Sequence, residues 1–197
     1  MDIVLLRHGR TEINEKGHFG GSLDSKLSNS GREEIQRLKE HIKGIEFDEV
    51  YSSPMKRTIE TAQILKLNYK TDDRLKEINF GIFEGLSYKE IEERYNEEYK
   101  KWKEDYLNYR FPEGESLKDV FDRTCDFLKD IDKNKKRILI ITHGGVIRCM
   151  LSQVFSSNTY FYKFKINHGT FNVISYDYDF MFIKAINCIY NLKEILE

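Results

Sequence analysis

Arg137-Ile138-Leu139-Ile140-Ile141-Thr142 is an unbroken apolar run that stops at His143-Gly144-Gly145. A short run without alternation reads as a strand buried on both faces. Residues 144–155 read as a helix that starts at the carboxyl end of that strand. The N-terminus repeats the pattern: Ile3–Leu6 is apolar, Arg7-His8-Gly9 follows, and a glycine-dotted loop runs to about Ser28. Glu49–Tyr51 reads as another strand, ending at Ser52-Ser53-Pro54. Strands that alternate with helices predict an α/β fold, a three-layer α/β/α sandwich with a mainly parallel central sheet. Ligands bind such sheets outside the carboxyl ends of the strands. The three polar stretches at 7–9, 52–54 and 142–144 are all expected there.

The other elements follow from caps and periodicity. Ser30 with Glu33 predicts a capping box opening a helix to about Ile42. Ser53 as N-cap and Pro54 as first helical residue predict a helix to about Leu65. Ser87 with Glu90 opens a helix whose Tyr88, Ile91, Tyr95, Tyr99, Trp102 and Tyr106 make one aromatic face. Phe111-Pro112-Glu113-Gly114 breaks that pattern. Ser116 with Asp119 caps the next helix, to about Ile131. Phe171–Tyr176 and Met181–Asn187 read as two strands joined by a tight turn around Asp177–Asp179. No repeat or low-complexity linker interrupts the chain, so one domain over 1–197 is expected.

The 197 residues are 40 % apolar and 13 % aromatic, with 32 basic against 33 acidic side chains. That is a globular composition without the basic excess of a nucleic-acid-binding chain. Cys125, Cys149 and Cys188 form no C-x-x-C pair, so they read as reduced core thiols. No run approaches the ~20 apolar residues of a membrane span, and the first residues lack the basic leader of a signal peptide. A cytoplasmic protein is expected, with no membrane or nucleic-acid partner.

Arg7 and His8 directly follow a buried strand. A neutral imidazole is a phosphoryl acceptor, and a guanidinium holds two phosphate oxygens in a fork; the alternative is an ion pair beside a histidine satisfied by backbone. Arg57, within the helix after Ser53-Pro54, is either a second phosphate clamp or a solvated surface residue. His143 sits at a helix N-terminus whose Gly144 allows a close anion, or is simply part of a tight turn. Glu77 and Glu84 lie in an aromatic, glycine-rich loop. One of them, if partly buried, suits general acid work; the alternative is a surface carboxylate.

Five stretches in register carry a family resemblance. They are Leu5–Thr11, Tyr51–Thr58, Leu75–Gly85, Pro112–Ser116 and Thr142–Gly145. Together they resemble the histidine phosphatase superfamily, which includes cofactor-dependent phosphoglycerate mutase, over essentially the whole chain. The resemblance implies the phosphoglycerate mutase-like fold, His8 as nucleophile and Glu77 as proton donor. It implies a phosphate pocket of Arg7, Arg57 and His143, with Asn14, Thr11 and Gly144 as further contacts. It implies no cofactor and no metal. Glu84 matches the motif without an assigned catalytic role. Arg10 departs from the family, which usually has Glu or Gln there; it adds charge beside the pocket or points to solvent.

The expected reaction is metal-independent phosphomonoester hydrolysis through phosphohistidine. The chain is compact, and His18–Ser22 differs from the Phe-Thr-Gly-Trp of a mutase, so phosphatase is favoured. Residues 87–111 are a candidate helical cap. The Phe-Gly-x-Phe-Glu-Gly segment, the aromatic helix and Pro-Glu-Gly-Glu-Ser look similar to α-ribazole phosphatases, which implies α-ribazole 5′-phosphate as substrate. The alternatives are a broad-specificity sugar-phosphate or acid phosphatase, a mutase, a non-catalytic phospholigand-binding module, or a metal site built on His8, His143 and Glu77. His18 is expected near the pocket rim, His41 on a helix surface and His168 in a structural loop. The sequence leaves the oligomeric state open.

Overall fold

The computed structural model describes residues 1–178 and 180–197. Six strands form one sheet: β1 (Asp2–Arg7), β2 (Glu49–Ser52), β3 (Lys70–Thr71), β4 (Arg137–Thr142), β5 (Phe171–Asp177) and β6 (Phe180–Cys188). Their order is β3-β2-β4-β1-β5-β6. The first four are parallel; β5 and β6 add an antiparallel edge. The expected mainly parallel sheet is present. Asp179, part of the turn expected between the last two strands, lies outside the described residues.

Among the described residues eight α-helices accompany the sheet. They are α1 (Glu12–Glu15), α2 (Asn29–His41), α3 (Lys56–Ile64), α4 (Tyr88–Arg94), α5 (Asn96–Glu104), α6 (Leu117–Asp130), α7 (Gly144–Gln153) and α8 (Leu192–Leu196). Side chains alternate across a strand, and the core divides accordingly. Ile3, Leu5, Ile138 and Ile140 face a cluster with Val120 and Phe127 of α6 and Val146 and Ile147 of α7. Val4, Leu6, Leu139 and Ile141 face Ile35 and Leu38 of α2, Ala62 of α3 and Leu192 of α8. Both sheet faces are buried, which is why β1 and β4 read as unbroken apolar runs.

Three local expectations are corrected. The cap of α2 is Ser28, not Ser30: Ser28 Oγ accepts from Gly31 N at 3.2 Å. The first turn presses on the Arg10 backbone so closely that a Cβ on Gly31 would lie 2.1 Å from the Arg10 carbonyl oxygen. Ser30 instead bonds Glu15. Helix α3 starts at Lys56 rather than Pro54, with Met55 still extended. Ser53 N continues the sheet by donating to Ile141 O at 2.9 Å, its hydroxyl meets His143 Nε2 at 2.8 Å and accepts from Met55 N at 3.4 Å, and the chain stays extended through Met55, so Ser53 lies too early to cap α3. The aromatic helix is two helices, broken at Tyr95 (φ −132°, ψ 44°). A continuous helix would set Tyr88 and Trp102 about 21 Å apart. The break folds α5 back, and their rings stack at 5.8 Å with planes 7° apart.

The capping boxes of α4 and α6 form at Ser87–Glu90 and Ser116–Asp119, as the sequence predicts. The three cysteines are free.

Candidate active site

Register aligns the three polar strand ends. Arg7 pairs with Thr142 across β1 and β4, His8 N donates to Thr142 O at 3.1 Å and Ser53 N to Ile141 O at 2.9 Å. His8, Ser53 and His143 therefore emerge level with one another at the sheet's carboxyl edge. His8 opens onto a cavity of about 330 Å³ that also takes in Arg7, Thr11, Asn14, Arg57, Glu77 and Gly144, while Ser53 and His143 are fully buried beside it.

His8 is buried and its Nδ1 lies 2.7 Å from Gly9 O. A carbonyl only accepts, so in the neutral ring Nδ1 carries the proton and Nε2 keeps its lone pair. Burial, then the charge of Arg57, His168 and Arg7, hold His8 well below the usual imidazole range. The ring is neutral, and Nε2 carries a free lone pair at physiological pH. The loop must pass close to α2 at this point: a Cβ on Gly9 would fall 2.5 Å from Gly31 O.

Arg57 is the second residue of α3 and 3 % exposed, which removes the solvated-surface alternative. Its Nε donates to His143 Nδ1 at 3.1 Å, Nη1 to Leu23 O at 2.8 Å and Nη2 to Gly21 O at 2.8 Å. Because His143 Nδ1 accepts, Nε2 bears the proton and donates to Ser53 Oγ at 2.8 Å. Burial and then Arg57 keep His143 neutral too. Arg7 Nη1 donates to Ile166 O at 2.5 Å, while its Nε is buried without a partner. Burial lowers Arg7 to about 10, with Glu77 pulling the other way, so it stays cationic at neutral pH.

Glu77 accepts from Gly145 N at 3.2 Å and from Ile78 N at 3.1 Å. This ties its carboxylate to the start of α7, at the mouth of the phosphate end. A Cβ on Gly145 would come within 2.4 Å of Glu77 Oε1. Asn14 uses Oδ1 to accept from Thr11 N and Oγ1, at 3.2 and 2.9 Å, capping α1. Its amide nitrogen is left for a ligand, whereas the Thr11 hydroxyl is committed to the cap. Glu84 accepts from Ser22 N and Oγ and from Phe80 N, a structural staple between two loops. Arg10 turns toward Glu34 at 3.5 Å and is half exposed, the solvent-side alternative.

The structure adds residues that the sequence reading missed. The His168 ring lies 5.4 Å from that of His8, whose other histidine neighbour is His143 at 5.1 Å. Arg148, from the helix that begins at Gly144, also lines the cavity. A signal existed in the sequence. Of five histidines, the three followed by glycine are His8, His143 and His168, the three that meet here. His18 lies at the cavity and 3.7 Å from Glu90. His41 is partly buried with its ring against Tyr190.

Away from the phosphate end the cavity wall turns aromatic, with Phe19, Tyr88, Trp102, Tyr106, Phe161 and Tyr162. The aromatic face of α4 and α5 serves both the core and the cavity. Ile91 is fully buried and Trp102 nearly so, while Tyr88 is 54 % exposed.

Similarities to known proteins agree with this geometry. The chain is 40 % identical over 152 residues to a 6-phosphofructo-2-kinase/fructose-2,6-bisphosphatase of Gallus gallus, an overlap covering 76 % of this chain and 32 % of that protein. The chain thus spans about a third of the length of that relative. It is 30 % identical over 179 residues to phosphoserine phosphatase 1 of Hydrogenobacter thermophilus, covering 87 % of this chain and 85 % of that one. In fold it matches a putative alpha-ribazole-5'-P phosphatase from Escherichia coli, with a TM-score of 0.90 at 23 % identity over 96 % of this chain and 97 % of that one. Residues 3–189 match the model of the histidine phosphatase superfamily (branch 1), and the chain belongs to that family.

Proposed function

We propose that the protein hydrolyses small phosphomonoesters without a metal, through a phosphohistidine on His8 Nε2. One observation carries the reading: His8 Nδ1 is fixed on Gly9 O, so Nε2 is the free nitrogen, in a pocket shared by Arg7, Arg57 and Glu77. The phosphate dianion docks between the two guanidiniums, with Asn14 and the N-terminus of α7 at Gly144 as further donors. Nε2 attacks phosphorus in line while the bond to the leaving oxygen breaks, and Glu77 gives that oxygen its proton. Water then enters. Glu77 takes a proton from it, the oxygen attacks phosphorus, and the N–P electron pair returns to Nε2. Arg7 and Arg57 stabilise the equatorial oxygens, and His143, bonded to Arg57 Nε and Ser53, holds that arginine in place.

The metal alternative built on His8, His143 and Glu77 is disfavoured because the two arginines would repel a cation. A non-catalytic binding module is disfavoured because it needs no proton donor. Residues 1–197 are proposed to act as one phosphatase domain in which 87–111 forms the cap over the leaving group. No helix among the described residues is long and apolar enough to cross a membrane, and a cytoplasmic site of action is proposed.

For the substrate, the aromatic wall supports α-ribazole 5′-phosphate, whose planar base would stack on it. The sequence relatives favour a second reading, a phosphatase of phosphoserine or sugar phosphates. A bisphosphate with two separated phosphates fits less well. Arg7 and Arg57 serve the first phosphate, which leaves Arg148 as the only other arginine on the wall. The test is phosphate release by EDTA-treated protein across α-ribazole 5′-phosphate, phosphoserine, fructose 2,6-bisphosphate, 3-phosphoglycerate and p-nitrophenyl phosphate. A kcat/KM preference of at least tenfold (~1.4 kcal/mol) for α-ribazole 5′-phosphate is expected. Preference for phosphoserine would replace the substrate and keep the chemistry; no release from any compound would remove the phosphatase reading.

A further inference from the structure

His168 has no role in the scheme above, yet the fold fixes it beside the nucleophile. Arg7 N donates to Thr170 O at 3.2 Å, and Gly169 N is shared between Arg7 O at 3.2 Å and His8 O at 3.3 Å. Arg7 Nη1 reaches Ile166 O in the same loop. Gly169 has φ +58°, a left-handed conformation that suits glycine and lets the loop turn back onto β1. The 166–170 loop is therefore laced to Arg7 and His8, and His168 has little freedom to move away.

The His168 ring meets the His8 ring edge-on, at 5.4 Å and 65°, nearly the geometry of His143 at 5.1 Å and 62°. His143 has both ring nitrogens bonded, to Arg57 and Ser53. His168 does not: its Nε2 is buried with no partner. A buried polar nitrogen without a partner calls for an explanation, and a ligand is one. Among the described residues, Arg7 Nε and Arg148 Nε are in the same condition on the same cavity, so the unmet donors gather where an anion would sit. Burial, then the charges of Arg7, Arg10 and Arg57, push His168 down to about 2. It is thus neutral and not a proton carrier.

We propose that His168 is a catalytic residue: its Nε2–H donates to an equatorial oxygen of the phosphoryl group in transit to and from His8. This rests on the phosphohistidine reading. The bond is made to the transferring group and not to the leaving group, so its loss should cost the same factor whatever alcohol departs.

The test compares His168→Phe and His168→Leu, which remove the donor, with His168→Gln, which keeps an amide N–H, all in the full chain. Orthovanadate affinity is measured by calorimetry, and kcat/KM is measured on two aryl phosphates with different leaving groups. Each donorless variant that retains a cooperative thermal transition should bind vanadate about 10-fold more weakly. It should lose about 10- to 100-fold in kcat/KM, equally for both substrates. His168→Gln should recover most of both. Vanadate affinity within twofold of the parent in a folded donorless variant overturns the proposal, as does a folded Gln variant no better than Phe. Should both donorless variants fail to fold, the Gln variant decides: near-parental vanadate affinity supports the proposal, and a tenfold loss overturns it. If the parent releases no phosphate, the phosphatase reading falls, while the vanadate comparison still judges His168 as a phosphoryl ligand.

Discussion

The two ends of the cavity are built on different terms. At the phosphate end His8 is 2 % and His143 0 % exposed, and polar atoms are held by backbone carbonyls and amides at strand ends. At the other end Tyr88 is 54 % and Tyr162 48 % exposed, and rings pack mainly on other rings. The difference teaches where chemistry and selectivity reside. Charge is fixed by the sheet; the shape of the leaving group is met by side chains that only tertiary packing brings together.

The comparison can be broken most sharply at its centre. His8→Ala should lose about 10⁴-fold or more in turnover and all phosphoenzyme labelling; substantial labelling would move the nucleophile elsewhere. Arg57→Ala should cost about 10²- to 10³-fold in kcat/KM. Arg57→Lys should rescue little, because a lysine cannot reproduce the three bonds to His143, Leu23 and Gly21.

Smaller effects sharpen the boundary between the ends. A Cβ on Gly144 would sit 3.0 Å from Arg7 Cζ, and Arg7 is tied to Ile166, so Gly144→Ala should lower kcat/KM about tenfold by displacing the fork. That loss should be alike for every substrate in steady-state assays. Trp102→Ala should act the other way. It should raise KM several-fold, roughly 1 kcal/mol, for an aromatic nucleotide-like ester and less for a simple sugar phosphate. Equal losses on both would mean that the rings are core alone.

Stability should also depend on pH. His8, His143 and His168 are all held below their unfolded values. Below about pH 6.5 the unfolded chain binds protons that the folded site refuses, so stability is present above that pH and falls as pH drops through it. Each histidine adds up to ~1.4 kcal/mol per pH unit. Denaturant titrations at pH 7.5 and 5.5 should show the decline, and His8→Ala should flatten it.

The phosphate end was legible because sequence-local patterns place it. Apolar runs ending in Arg7-His8 and Thr142-His143 fix which residues stand at the sheet's edge, and glycines beside them mark close backbone approaches. Caps were legible where the helix begins directly after the serine, as at Ser87 and Ser116, and misread where extended chain runs on past it, as at Ser53. The break at Tyr95 has no proline or glycine to announce it; burying Ile91 and Trp102 together outweighs the continuous helical pattern. The place of His168 beside His8 was not legible because it comes from pairing β5 against β1, a contact no local window contains.

That pairing also sets a timetable. The nucleophile's strand lies between β4 and β5, whose residues follow it by well over a hundred positions. During synthesis β1 emerges first and waits for both neighbours. Such long-range closure slows folding, and an apolar strand left waiting is exposed to aggregation. Within this chain β1 is therefore made before both of its neighbours, and the His8 end of the sheet is completed only once β5 has left the ribosome.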